Sequence, residues 1–345
     1  MALELDRPHC AAGAETSMIR VVTKSMEGPF QVVEGTDAAQ SAIERWRGGR
    51  ERIWLDLISA DAGEVDVIRR QLHFDEHSLE DAVRGDHPPK VEEVGPEGDR
   101  PAYMFVVAVA PTGETEGALE SIALFLKERL LITFHSKPSV SIDEALSRLL
   151  RDPSQTIGRG IEFTAHAVLD EMVDEYDKLL DSFDARIERL EGHLEKEDTQ
   201  QIFPRVLRLR REASLIGRHA RAMRDVMACL SREGHPLVKA KARLAFRDIY
   251  DHVVRANDRL ENQREAIYSI RDAHLALANH RMNEVMKALT VVAVISGSLA
   301  VLTGLLGMNY QLPFQEHPNA FWASIIAMAV ISSSIIAFFR WRRWI

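Results

Sequence analysis

Two long stretches of the chain carry no charged residue. Ala288 to Met308 (ALTVVAVISGSLAVLTGLLGM) is 21 residues and Ala320 to Phe339 (AFWASIIAMAVISSSIIAFF) is 20. Crossing a hydrocarbon core ~30 Å thick takes about 20 helical residues, so each stretch is long enough to span a membrane. Only 11 residues, Asn309 to Asn319, join them, which predicts a helical hairpin. Upstream, 60 residues from Leu237 to Ser296 pass without a Gly or a Pro. That pattern predicts one helix ~90 Å long at 1.5 Å per residue, running unbroken into the first span. Such a helix can pack as a coiled coil and can also transmit a change in the soluble part to the bilayer.

Residues 1–150 follow a different pattern. Arg52 to Ile58, Ala102 to Val109, Ser121 to Leu126 and Arg129 to Phe134 are short apolar runs, several of them β-branched. Gly and Pro clusters bound them, which predicts strands. A helical stretch from Val65 to Val83 separates the first two, followed by His87-Pro-Pro89. After Pro153 the pattern is helical almost throughout. Residues 170–198 hold 12 acids against 4 bases, and residues 205–224 hold 7 arginines against Glu212 alone. Two adjacent helices of opposite sign, broken between Asp198 and Pro204, are expected to form an antiparallel pair held partly by charge, although exposed pairs are individually weak. The fold class expected is α+β. It comprises an extension over 1–20, a cytosolic α/β domain over 21–155, a charged helical hairpin over 156–236 and a long stalk helix over 237–308. A loop over 309–319, a second span over 320–339 and a basic tail over 340–345 complete the chain.

Charge divides the chain in the same way. The net charge is -9, yet from Lys287 onward three arginines and a lysine face only Glu316, so the soluble body is strongly acidic. An acidic body offers no basic stripe for phosphates, which argues against nucleic acid. Two cysteines, Cys10 and Cys229, cannot build a disulfide framework or a four-cysteine metal site. Glu4, Asp6, Arg7 and Pro8 interrupt the N-terminus, so no signal peptide is expected. Lys287 before the first span and Arg340, Arg342 and Arg343 after the second place both ends in the cytoplasm by the positive-inside rule, with Trp322, Trp341 and Trp344 near the interfaces. No phosphate-cradling GxxxxGK[ST], HExxH or nucleophile elbow occurs, so no enzyme is expected.

At the outer end of the first span stands Gly307-Met308-Asn309. Upstream lie Asn283-Glu-Val-Met-Lys-Ala-Leu-Thr290 and Phe246-Arg-Asp-Ile-Tyr-Asp-His252, and in the first half Leu130-Leu-Ile-Thr-Phe-His135 and His87-Pro-Pro-Lys-Val-Glu92. With the tail Arg340-Trp-Arg-Arg-Trp-Ile345, these segments resemble the CorA-type divalent-cation channels, whose signature is the GMN triplet. The resemblance runs from about residue 50 to the end.

That resemblance implies a homopentameric funnel in a bacterial-type inner membrane, with five first spans around one pore. The loop of Gly307, Met308 and Asn309 is then the selectivity filter on the periplasmic side. Mg²⁺ dehydrates reluctantly, so an Asn309 ring can hydrogen-bond its water shell. Asn283, Met286, Leu289, Gly297, Ala300 and Gly304 share one helix face. The family match makes Asn283 a polar ring at the cytosolic end, and Met286 and Leu289 an apolar gate. Spacing alone favours ordinary helix packing for Met286 and Leu289, and the family match reverses that preference. Ser298 and Ala300 stand where many family members carry Pro and Thr, and no bulky residue occupies position 297, which implies a wider, less polar mid-pore.

Asp248 and Asp272 match carboxylates that hold regulatory divalent ions, so Mg²⁺ is expected as both transported and regulatory ion, with no organic cofactor. Arg340, Arg342 and Arg343 anchor the topology and lie where they can act on gating. The main expectation is a passive Mg²⁺ channel that also admits Co²⁺ or Ni²⁺. A rival is the family's zinc branch, since His317 beside Glu316 in the outer loop would place five imidazoles at the mouth. A third reading is a membrane cation sensor that conducts nothing.

Overall fold

The structure, a computed structural model, describes residues 18–25, 28–96, 102–112, 118–193, 199–232, 237–308 and 318–344. They divide into two compact units, residues 1–193 with 204–267, and residues 194–203 with 268–345.

In the first unit the apolar runs form one mixed sheet. Its strands are β1 (Met18–Ser25), β2 (Phe30–Glu34), β3 (Glu51–Ile58), β4 (Lys90–Val94), β5 (Tyr103–Pro111), β6 (Leu119–Lys127) and β7 (Leu130–His135). They lie in the order β2-β1-β3-β7-β6-β5-β4. All neighbours are antiparallel except β3 and β7, which pair in parallel with Ile53 opposite Leu130 and Ile58 opposite His135. β5 and β7 are buried at every position, so they read as continuous apolar runs rather than as alternations.

Both faces of the sheet are covered. On one, Leu55, Phe105, Phe125 and Ile132 pack with helices α1 (Thr36–Arg47), α2 (Ala62–Leu72) and α3 (Glu76–Arg84). On the other lies the start of α5 (Ile161–His193), against which α4 (Val140–Arg151) packs. Tyr176 of α5, fully buried, donates from its hydroxyl to the Val109 carbonyl of β5 at 2.7 Å, and burial pushes its phenol pKa up.

The helical stretch expected from Val65 to Val83 is resolved as two helices. His73 ends α2 in the left-handed region at φ 51°, and Asp75 then caps α3 by accepting from the His77 amide at 3.1 Å. A left-handed histidine has no sequence signature, so the break was not legible. β1, β2, β4 and α1 were also unforeseen. β1 intersperses Arg20, Thr23 and Lys24 among its valines, and β2 is a five-residue strand at the sheet edge.

Beyond Pro153 the expected helices are present as α5, α6 (Thr199–Leu230) and α7 (Ala240–Leu306). α7 has 67 residues, ~100 Å at 1.5 Å per residue. Pro204 does not mark the break; it sits inside α6, near its start. Buried residues follow a heptad on α6 (Val206, Leu209, Ala213, Ile216, Ala220, Met223, Met227, Leu230). They do the same on the first half of α7 (Phe246, Ile249, Val253, Ala256, Leu260, Gln263, Ile267). Alternating steps of three and four are the seam of a coiled coil.

Among the described residues, Arg186 of α5 pairs with Glu212 of α6 at 2.8 Å, the minority charge of each helix. The α5 acids pair elsewhere, Asp181 and Asp184 with Arg259 of α7 at 2.5 and 2.6 Å, and Asp170 with Arg148 of α4 at 2.7 Å.

Candidate functional site

The second unit carries the membrane-directed surface. The apolar window of α7 is 6% buried and that of α8 (Ala320–Trp341) is 0% buried. A soluble core would enclose such helices; here the chain leaves them bare, and water is a poor solvent for that surface. Hydroxyls along them turn back onto the helix. Thr290 donates to the Met286 carbonyl at 2.8 Å and Thr303 to the Leu299 carbonyl at 3.0 Å on α7, and on α8 Ser334 donates to the Val330 carbonyl at 2.8 Å. No side-chain donor in these four-residue loops is left for lipid to satisfy.

Asn283, Met286, Leu289, Gly297, Ala300 and Gly304 are all exposed. At 100° per residue they fall within an arc of about 120° of the helix. Met286 is 59% and Leu289 67% exposed, so within one chain neither packs against anything that would explain it. A Cβ built on Gly297 or Gly304 would meet nothing within 4 Å. The ion pair of Lys287 with Glu284, at 3.5 Å, falls outside the arc.

α7 ends where the triplet begins. The Gly307 amide donates to the Thr303 carbonyl at 2.9 Å and the Met308 amide to the Leu305 carbonyl at 3.4 Å. A side chain on Gly307 would come within 3.1 Å of the Thr303 carbonyl oxygen, so any larger residue there presses on the closing turn. Asn309, Glu316 and His317 lie outside the described residues.

Asp248 is exposed and makes no ion pair among the described residues, whereas Asp272, also exposed, pairs with Arg271 at 2.9 Å. No cluster of three or more His, Cys, Asp or Glu able to hold a metal occurs among the described residues. The tail has its own geometry. The Trp344 amide donates to the Phe339 carbonyl at 3.0 Å and the Arg343 amide to the Arg340 carbonyl at 3.1 Å, with Arg343 left-handed at φ 56°. This is a Schellman motif, closed by the ring contact of Trp344 with Phe339 at 5.4 Å. It sets Arg340, Arg342 and Arg343 at the negative end of the helix dipole.

Sequence reasoning missed a buried charged cluster in the sheet. Asp56 accepts from Thr133 at 2.5 Å and lies 3.0 Å from His135 Nε2 and 2.7 Å from Arg20. A carboxylate inside an apolar strand run was the available signal.

A sequence model of the family described as CorA-like Mg2+ transporter protein matches residues 50–343. The cobalt/magnesium transport protein CorA of Methanocaldococcus jannaschii is 28% identical over 85% of this chain and 91% of its own length. That of Thermotoga maritima is 25% identical over 95% of this chain and 92% of its own. The complete structure of the Methanocaldococcus jannaschii CorA magnesium transporter superposes with a TM-score of 0.79 at 25% identity, covering 94% of this chain and 98% of that one. The zinc transport protein ZntB of Klebsiella pneumoniae is also similar, 25% identical over 68% of this chain and 69% of its own length. The chain belongs to the CorA-like Mg²⁺ transporter family and is a membrane-embedded divalent-cation transporter.

Proposed function

We propose that five copies of this chain surround one pore that passes Mg²⁺ passively, with Co²⁺ and Ni²⁺ as further substrates. The reading places the pore in a bacterial-type inner membrane with both termini in the cytoplasm. The observation that carries it is the arc of Asn283, Met286, Leu289, Gly297, Ala300 and Gly304, exposed on an apolar helix that its own chain leaves bare. In a ring of five, that arc lines the axis while the remaining apolar surface meets lipid and neighbouring helices. Asn309, next to Gly307 and Met308, supplies amide oxygens for the water shell of an ion that sheds water reluctantly. Met286 and Leu289 close the pore by dewetting. An inside-negative potential contributes ~2.3 kcal/mol per charge per 100 mV, which drives cations inward without ATP. Asp248 and Asp272 are the regulatory carboxylates. They are completed by neighbouring subunits, since hard divalent cations want several oxygens and one chain brings no such cluster together among its described residues.

Ion uptake into proteoliposomes, comparing Mg²⁺, Co²⁺ and Zn²⁺ for the wild type and Asn309→Ala, tests this reading. Mg²⁺ flux in the wild type, lowered at least tenfold in an Asn309→Ala protein that still assembles, is expected; Mg²⁺ flux unchanged by the substitution overturns the filter. The similarity to a zinc transport protein, with His317 in the outer loop, supports a second reading. On it, Zn²⁺ crosses and Mg²⁺ does not. A pentamer that passes none of the three ions is instead a sensor.

A further inference from the structure

Polar residues interrupt the apolar runs of β3 and β7 at Asp56, Thr133 and His135. Parallel pairing sets Asp56 opposite Thr133, and the two-residue period puts Thr133 and His135 on one face of β7. Asp56 and His135 have side chains only 2% exposed. Strand β1 joins them through Arg20, whose Nε and Nη2 lie 2.9 and 2.7 Å from Asp56. The same guanidinium reaches Asp143 of α4 through Nη1 at 2.6 Å. The turn from β7 into α4 joins through the Lys137 carbonyl, which faces His135 Nδ1. Beside it, Glu120 of β6 accepts from Ser141 of α4 at 2.8 Å. α4 itself packs on α5, so polar groups and the turn tie it to the sheet.

Buried charges persist only while each keeps its hydrogen bonds. A doubly protonated His135 donates to Asp56 and to the Lys137 carbonyl together, whereas a neutral imidazole has a single N–H. With that N–H kept on Nε2, against the carboxylate, the Nδ1 lone pair meets the Lys137 carbonyl oxygen and the turn is pushed away. Asp56 also loses one of its two positive neighbours. The other, Arg20, is then drawn from Asp143 toward the more deeply buried carboxylate. The charged groups around His135 are Asp56, Arg20 and Glu120 on the sheet and Asp143 on α4, with Glu175 of α5 beyond Glu120. Arg20 opposes the proton on His135, and Asp56 favours it.

We propose that protonated His135 is a latch on α4, fixing the turn out of β7 and leaving Arg20 free to hold Asp143, and that loss of its proton releases both ties. Burial lowers the histidine's pKa, but the bond to Asp56 and its charge leave it raised, so release comes on the alkaline side. The change reaches α5 through Arg148 of α4, which holds Asp170 at 2.7 Å and Glu171 at 3.6 Å. A shifted α4 returns those two carboxylates to solvent.

Hydrogen exchange read by mass spectrometry tests the latch on the full-length protein in detergent from pH 6 to 9, with rates corrected for their intrinsic pH dependence. Protection of α4 in the wild type is expected to fall at least tenfold across the range while that of α1 stays level. His135→Gln, which has nothing to titrate there, is expected to keep α4 at the alkaline level throughout. Asp56→Asn, which keeps the imidazole but removes its charged acceptor, is expected to move the midpoint of the fall roughly one pH unit lower. A wild-type α4 whose protection does not fall overturns the proposal, as does the same fall in His135→Gln. A fall shared equally by α1 overturns it too, since the whole unit would then be loosening, and so does an unmoved midpoint in Asp56→Asn.

Discussion

Both ring nitrogens of His135 face oxygens, Nε2 toward Asp56 and Nδ1 toward the Lys137 carbonyl. Only the doubly protonated imidazolium can donate at both positions. Burial pushes the His135 pKa down, but the bond to Asp56 and its charge outweigh burial and leave it raised. Burial likewise pushes Asp56 up, and the bond and charge of His135, with the charge of Arg20, bring it below the usual carboxylate range. The histidine's contribution to stability is therefore full below the unfolded pKa of about 6.5 and fades as pH rises through the higher folded value. The contribution of Asp56 is full above about pH 4 and fades only as pH falls through its lowered folded value. Thermal unfolding of the full-length protein in detergent, from pH 5 to 9, is expected to show wild type losing stability relative to His135→Gln as the pH rises. A gap independent of pH would mean that folding leaves the His135 pKa unshifted, and a wild type that gains on the variant as pH rises would mean that the folded histidine is neutral. Asp56→Ala leaves the buried His135 without its carboxylate and Arg20 with Asp143 alone at 2.6 Å, and is expected to cost about 3–5 kcal/mol.

At the scale of elements, the long helices were the most legible part, because a heptad survives any misreading of its ends. Leu260, Gln263 and Ile267 of α7 keep the three-four spacing although one of them is polar. Gln263 stays on the buried seam by donating to the Leu180 carbonyl at 2.8 Å and to Asp184 at 2.7 Å. Across that seam a Cβ on Gly217 of α6 would lie 3.1 Å from Leu260 Cδ2. Gly217→Val therefore overpacks the α6–α7 contact and is expected to destabilise the first unit by about 1–3 kcal/mol, read as a shift in denaturant midpoint. The strands β3, β5, β6 and β7 were legible as apolar runs. Their partners were not, because β1 mixes polar residues into its run and β2 leaves Val32 and Val33 exposed at the edge. Individual charge pairs were not legible for a different reason: composition counts charges along a helix, whereas pairing depends on which ones face a neighbour, and Asp170, Asp181 and Asp184 of α5 face Arg148 and Arg259. The candidate pore residues stand out only through the motif, since within the described chain they sit exposed on a bare helix face.

At the scale of the whole molecule, one chain cannot account for its own surface. Met282, Val285, Met286, Leu289 and Val292 are each more than half exposed on consecutive turns of α7, just before and within the first span. Two demands can explain so apolar a surface there, packing between copies or closure of a pore, and they make opposite predictions for the same substitution. If Met286 and Leu289 only pack, Met286→Ser/Leu289→Ser weakens assembly, and cation flux falls with the amount of pentamer. If they hold the constriction dry, polar side chains wet it. Each ~1.4 kcal/mol removed from a dewetting barrier raises flux tenfold, so basal Mg²⁺ flux per assembled protein is expected to rise by roughly that factor. If Asp248 and Asp272 hold a regulatory ion as proposed, the increase should persist at Mg²⁺ levels where that ion closes the wild type, because it would act on a constriction that no longer seals. Flux normalised to pentamer, measured by crosslinking in the same liposomes, separates the two outcomes. A fall in flux that tracks lost pentamer removes the gate from Met286 and Leu289 and leaves their arc as a subunit contact.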